Sequence, residues 1–92
     1  MDIQQCTTVI GNLQNDFDSH NFILKFLEKY PVEYGKLLIK YKNVNTAHAE
    51  IGRFLLDNSE HYLNHLKIEY KGEHESLNIF GNMSPCAKWH KK

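Results

Sequence analysis

The chain has 92 residues, and its 11 lysine and arginine residues balance 11 aspartates and glutamates, so the formal charge is zero with six neutral histidines. That length bounds the fold to one small domain, and an apolar fraction of 41%, with ten leucines and seven isoleucines in it, argues against a disordered chain. Zero net charge removes the long-range attraction by which basic proteins find nucleic acid or anionic lipid, leaving local patches to be weighed one by one.

Ile3, Cys6, Val9, Ile10 and Leu13 recur at helical spacing despite the β-branched Thr7, Thr8 and Val9 among them. Turn formers at 15–18 interrupt this segment, and Asp18 or Ser19 suits the N-cap of the next. There Phe22, Ile23, Phe26, Leu27 and Tyr30 form one apolar stripe, which predicts a helix over 20–30. Pro31 ends that helix and opens another, whose face continues through Tyr34, Leu37, Leu38 and Tyr41. Residues 42–45 read as a short turn, with Asn45 or Thr46 capping a third helix that carries Ala47, Ile51, Phe54 and Leu55 on one side. Beyond Ser59 the pattern divides: Tyr62, Leu63 and Leu66 are helix-spaced, whereas Leu66, Ile68 and Tyr70 alternate like a strand. The expectation is helix to about residue 64, then an extended segment with a loop tip at 72–75 and a returning strand at 77–80.

Together these patterns predict a mainly α, small single-domain helical bundle over 1–80. It has three helices between 19 and 58, a further N-terminal helix, a partly extended C-terminal segment with a short β-hairpin at 66–80, and a C-terminal tail at 81–92. No apolar run exceeds three residues, as at Leu37, Leu38 and Ile39, far below the roughly 20 that span a bilayer. Asp2 stands where a secretory signal needs a base, so a cytoplasmic protein that keeps Cys6 and Cys86 reduced is expected. Phe, Tyr, Met, Ile, Asn and Lys total 38 residues against 11 for Gly, Ala, Arg and Pro, which points to an AT-rich source genome or mobile element. The abundance of lysine and asparagine is discounted accordingly.

Four constellations bear on function. The helix pair 34–41 and 46–56, joined by a short turn, has the layout of a DNA-binding helix-turn-helix, and a hairpin after it would stand like a wing. Thr46, His48 and Arg53 would then face bases, with Lys36, Lys40 and Lys42 on phosphates, although only Arg53 offers a bidentate guanine contact. His61 and His65, spaced i, i+4, together with Cys86 and His90 at the same spacing, make a candidate metal set. Cys6 or Cys86 with a histidine and Asp16 or Asp18 can be written as a nucleophile, base and orienter, but no motif selects that set, and neither enzyme chemistry nor a cofactor is expected. Finally, the aromatic residues exceed what a small domain readily buries, and Tyr30, Tyr34, Tyr41, Tyr62, Tyr70 and Trp89 suit a protein interface. A non-enzymatic protein-interaction or self-associating domain is the leading expectation, with the partner a protein or a second copy; DNA binding is the alternative, and no membrane partner is expected.

Overall fold

The computed structural model describes residues 1–92. Four helices, α1 (Ile3–Gly11), α2 (Ser19–Lys29), α3 (Pro31–Tyr41) and α4 (Val44–Asp57), are combined with three strands, β1 (Asp16–Asp18), β2 (Ile68–Leu77) and β3 (Met83–Lys91). The strands form one antiparallel sheet in the order β1-β3-β2. The architecture is therefore α+β, which corrects the expected mainly α, all-helical bundle.

Each helix boundary has a local chemical cause. Asp2 caps α1 through the Gln5 amide at 2.8 Å, while Thr7 and Thr8 return their hydroxyls to the carbonyls of Ile3 and Gln4, so the β-branched run is satisfied within the helix. Asp18 closes β1 and caps α2 in the same step: its carboxylate accepts from the Asn21 amide at 2.8 Å, and the Asn21 side chain accepts from the Asp18 amide at 2.9 Å. Pro31 occupies the first position of α3, where its missing N–H costs no bond. Lys42 then takes a left-handed backbone conformation (φ 57°), and Asn43 caps α4 through the Thr46 amide at 3.1 Å. The turn between α3 and α4 is thus two residues long, and the cap is Asn43 rather than Asn45 or Thr46.

The expected helical extension to residue 64 does not form. The Asn58 side chain donates to the Phe54 carbonyl at 2.9 Å and the Ser59 hydroxyl to the Leu56 carbonyl at 2.7 Å, so the last turn of α4 is closed by side chains. Residues 58–67 then fold back, with Leu66 donating its amide to the Asn58 carbonyl at 2.9 Å, and deliver Leu66 and Ile68 to the core.

The hairpin also lies elsewhere than at 66–80. Gly72 (φ 93°) marks a bulge between Tyr70 and Glu73, not a tip, and the true turn spans residues 78–82. Asn78 makes that turn, because its side-chain oxygen accepts from the amides of Phe80 and Asn82 at 2.9 and 3.1 Å, and Gly81 supplies the positive φ of 80°. Residues 83–91, expected as tail, are the central strand. Pro85 lies past the end of β1, where β3 has no neighbour on that side and a residue without N–H is tolerated.

The core draws on every element: Cys6, Val9 and Ile10 from α1, Phe17 from β1, Phe22, Ile23 and Phe26 from α2, Tyr34 from α3, Ile51 and Leu55 from α4, and Ile68 and Trp89 from the sheet. Trp89 is 1% exposed, donates its indole N–H to Ser19 Oγ at 3.0 Å and meets Tyr70 edge-on. Its expected place at an interface is corrected to the centre of the core, because the residue that looked terminal sits mid-sheet. Tyr34, 6% exposed, is likewise core. No helix is long and apolar enough to cross a membrane.

Candidate functional site

Between the inner flank of α4 and the hairpin runs a groove of about 670 Å³. Two small residues on α4, Ala49 and Gly52, leave the space, and Phe80, Tyr70 and Trp89 wall the sheet side. His48 closes one end. Its Nε2 lies 2.7 Å from the Tyr34 hydroxyl, and its ring stacks on Phe80 with centroids 6.0 Å apart. Burial lowers the His48 pKa, with a smaller push from His20, and burial raises that of Tyr34, so the pair is held uncharged at neutral pH.

A polar network adjoins the groove at the N-terminus of α2. The hairpin register sets His74 opposite Cys86 and Ser76 opposite Ser84. His74 Nε2 lies 2.9 Å from Asp18 Oδ2, and Ser76 Oγ lies 3.5 Å from Cys86 Sγ and 2.7 Å from His20 Nδ1. His20 Nε2 meets Ser84 Oγ at 3.2 Å, and the Asn78 side chain donates to Ser84 at 3.4 Å. Asp18 is buried, and that burial pushes its carboxyl up. Hydrogen bonds from the Asn21 amide, Ser76 and His74, with the nearby His20, outweigh the burial and hold it below the ordinary carboxylate value. The donor atoms of Asp18, His74 and Cys86 all lie within 4.8 Å of one another.

The residues anticipated for DNA occupy several settings. Thr46 and Arg53 are exposed on α4, Arg53 within 4.0 Å of Asp57, while His48 turns inward to Tyr34. Lys36, Lys40 and Lys42 are exposed along α3 and its end, with Lys36 3.4 Å from Glu33 and Lys40 over the Tyr41 ring. The anticipated metal set is not assembled: His61 and His65 lie in the loop after α4, His65 on Asn58 at 2.9 Å, and His90 pairs with Asp16 at 2.6 Å. Cys86 and His90 share a strand, so the i, i+4 spacing that stacks side chains on a helix sets them roughly 13 Å apart. Of the anticipated interface residues, Tyr62 and Tyr70 are exposed and Tyr30 and Tyr41 half-buried.

The network escaped sequence reading because its members are not local: His20 and Ser84, for example, are 64 residues apart. The one available signal is the pair of alternating triplets, His74, Glu75, Ser76 and Ser84, Pro85, Cys86, which gains meaning only once their register is known. Comparisons with protein-family models, curated proteins and solved structures give no match. The functional reading accordingly rests on the geometry above.

Proposed function

We propose that the chain is a protein-interaction module that associates with a second copy of itself through the end of the β2–β3 hairpin and the groove beside α4. One observation carries this reading. Leu77 and Met83, a cross-strand pair, are each 61% exposed, and Phe80 in the turn between them is 56% exposed, so three large apolar side chains stand together on a hydrogen-bonded hairpin end. The groove next to them offers an aromatic wall, with exposed Tyr62 and Tyr70 at its rim. Zero net charge leaves two copies without mutual repulsion. The outer edge of β2 is a poor route by comparison, because its bulge and its Glu69, Lys71, Glu73 and Glu75 oppose strand pairing. A reducing, cytoplasmic setting suits the two free thiols, Cys6 and Cys86.

Sedimentation velocity across a concentration series tests the proposal. Wild type is expected to shift from monomer to dimer in the micromolar range, and Phe80→Asp with Leu77→Asp to remain monomeric with an unchanged circular dichroism spectrum. A wild type that stays monomeric at high micromolar concentration defeats it.

A second reading has a specific observation behind it: α3 and α4 meet at a two-residue turn, with the hairpin following as a wing would. Charge argues the other way. Arg53 is the single base on α4, and residues 78–82 of the hairpin turn carry none. Absence of any retardation of duplex DNA at low salt eliminates this alternative.

A further inference from the structure

We propose that Asp18, His74 and Cys86 bind one divalent transition-metal ion, zinc by the chemistry of the donors, with a fourth position left open. The three ligands come from the end of β1, from β2 and from β3. Backbone pairing within one sheet therefore fixes their separation: Cys86 is the register partner of His74, and Asp18 that of Lys88, two residues along the same strand.

Geometry is close to what coordination requires. Tetrahedral zinc with N and O donors near 2.0–2.1 Å and sulfur near 2.3 Å puts donors about 3.3–3.7 Å apart. Here all three donor atoms fall within 4.8 Å, and the His74 to Asp18 contact is 2.9 Å, so changes in donor separation of up to about 1.5 Å, shared between the side chains, admit an ion. The ion would replace a hydrogen bond that already aligns two of its ligands.

Outer contacts orient the set. One Asp18 oxygen is held by the Asn21 amide, leaving Oδ2 as a single directed donor. Ser76, 3.5 Å from Cys86 Sγ and anchored by His20, can turn its one hydroxyl proton from Asp18 to the thiolate once the carboxylate is on the ion. A thiolate, an imidazole and one carboxylate suit zinc or cobalt and disfavour magnesium and calcium, which take oxygen ligands. Binding releases the Cys86 thiol proton to solvent. Asp18 and the thiolate then neutralise the dication, which offsets the unfavourable charge of Lys71 and Lys88 lining the adjoining cleft.

Titration of the full chain with Co²⁺ reads the site directly. The expected result is saturation at one equivalent, with a thiolate-to-cobalt charge-transfer band and the intense visible absorption of a tetrahedral ion, both bleached by Zn²⁺. Cys86→Ser should abolish the charge-transfer band. His74→Ala should weaken binding by more than about tenfold. Asp18→Asn should do the same while keeping an N-cap residue on α2, so that folding is preserved. His90→Ala should titrate as wild type. No saturable binding, saturation without the thiolate band, or an undiminished Cys86→Ser titration overturns the assignment, as does loss of binding in His90→Ala.

Discussion

His48 faces two ways in chemical terms: its position on α4 exposes one edge to the groove, while Tyr34 and Phe80 enclose the rest of the ring. Protonation would put a charge into that setting beside His20, which is why its pKa is lowered. The consequence for stability has a definite sign. The unfolded chain takes up a proton at the ordinary imidazole value of 6.5 and the folded chain only at lower pH, so stability is full above about pH 6.5 and is lost as the pH falls from there toward the folded pKa. Each full unit of depression corresponds to about 1.4 kcal/mol. Urea denaturation at pH 7.5 and pH 5.5 should therefore show a larger loss for wild type than for His48→Gln, which keeps a hydrogen-bonding partner for Tyr34 without the titration. Equal losses in the two proteins would show that His48 is not the group responsible. The two thiols make a similar contrast of setting: Cys6 is fully buried, and burial pushes its pKa up to about 12, whereas Cys86 is half-buried among polar neighbours. Composition alone cannot distinguish two cysteines, or place Trp89 in a core rather than at an interface, because burial is decided by pairing partners far away in the chain.

The helices show where sequence pattern and structure coincide. The stripe of Phe22, Ile23, Phe26, Leu27 and Tyr30 lies on one side of α2 and buries Phe22, Ile23 and Phe26, and Pro31 opens α3. A 3.6-residue period and a proline are local signals, legible without knowledge of the rest of the fold. The α3–α4 junction is less so, because three asparagine or threonine residues compete for the cap and the winner depends on Lys42 accepting a left-handed backbone. With Asn43 as cap, Asn43→Ala should lower stability by about 1 kcal/mol, whereas Asn45→Ala should change it by less than about 0.5 kcal/mol. Thermal unfolding of the two variants ranks them, and a larger loss in Asn45→Ala would place the cap where the pattern alone suggests it. The strands were the least legible elements. β3 contains Pro85 and two lysines, which resemble a fraying end, and its inward Ala87 and Trp89 form too short an alternation to announce a central strand. Because the polar network depends on the register of β2 against β3, missing the strand also hid the site.

At the scale of the molecule, neutrality conceals four blocks of opposite charge: residues 1–20 carry three acids and no base, residues 21–53 a net +3, residues 54–80 a net −3, and residues 81–92 three lysines and no acid. The last block folds onto its acidic counterparts, with Lys92 3.0 Å from Glu60 and 3.7 Å from Glu69, and His90 on Asp16. Such exposed pairs are individually weak. What secures these residues is the sheet, since Lys91 and Lys92 also donate their amides to Asn15 and Lys67, and β3 is the only partner that β1 and β2 have. Removing residues 81–92 would take away the central strand, unpair both neighbours, empty the Trp89 site beneath Tyr70 and uncover Ile68. Loss of a buried tryptophan side chain alone costs roughly 3–5 kcal/mol, a large share of the 5–15 kcal/mol that stabilises a typical domain, before the backbone pairing is counted. A chain ending at Phe80 is therefore expected to show no cooperative thermal transition and poor dispersion of its amide resonances, where the full chain shows both a transition and dispersion. A cooperative, helical 1–80 fragment would instead mean that the helices form the folding unit and that the sheet is added to them, and the single core described above would have to be divided.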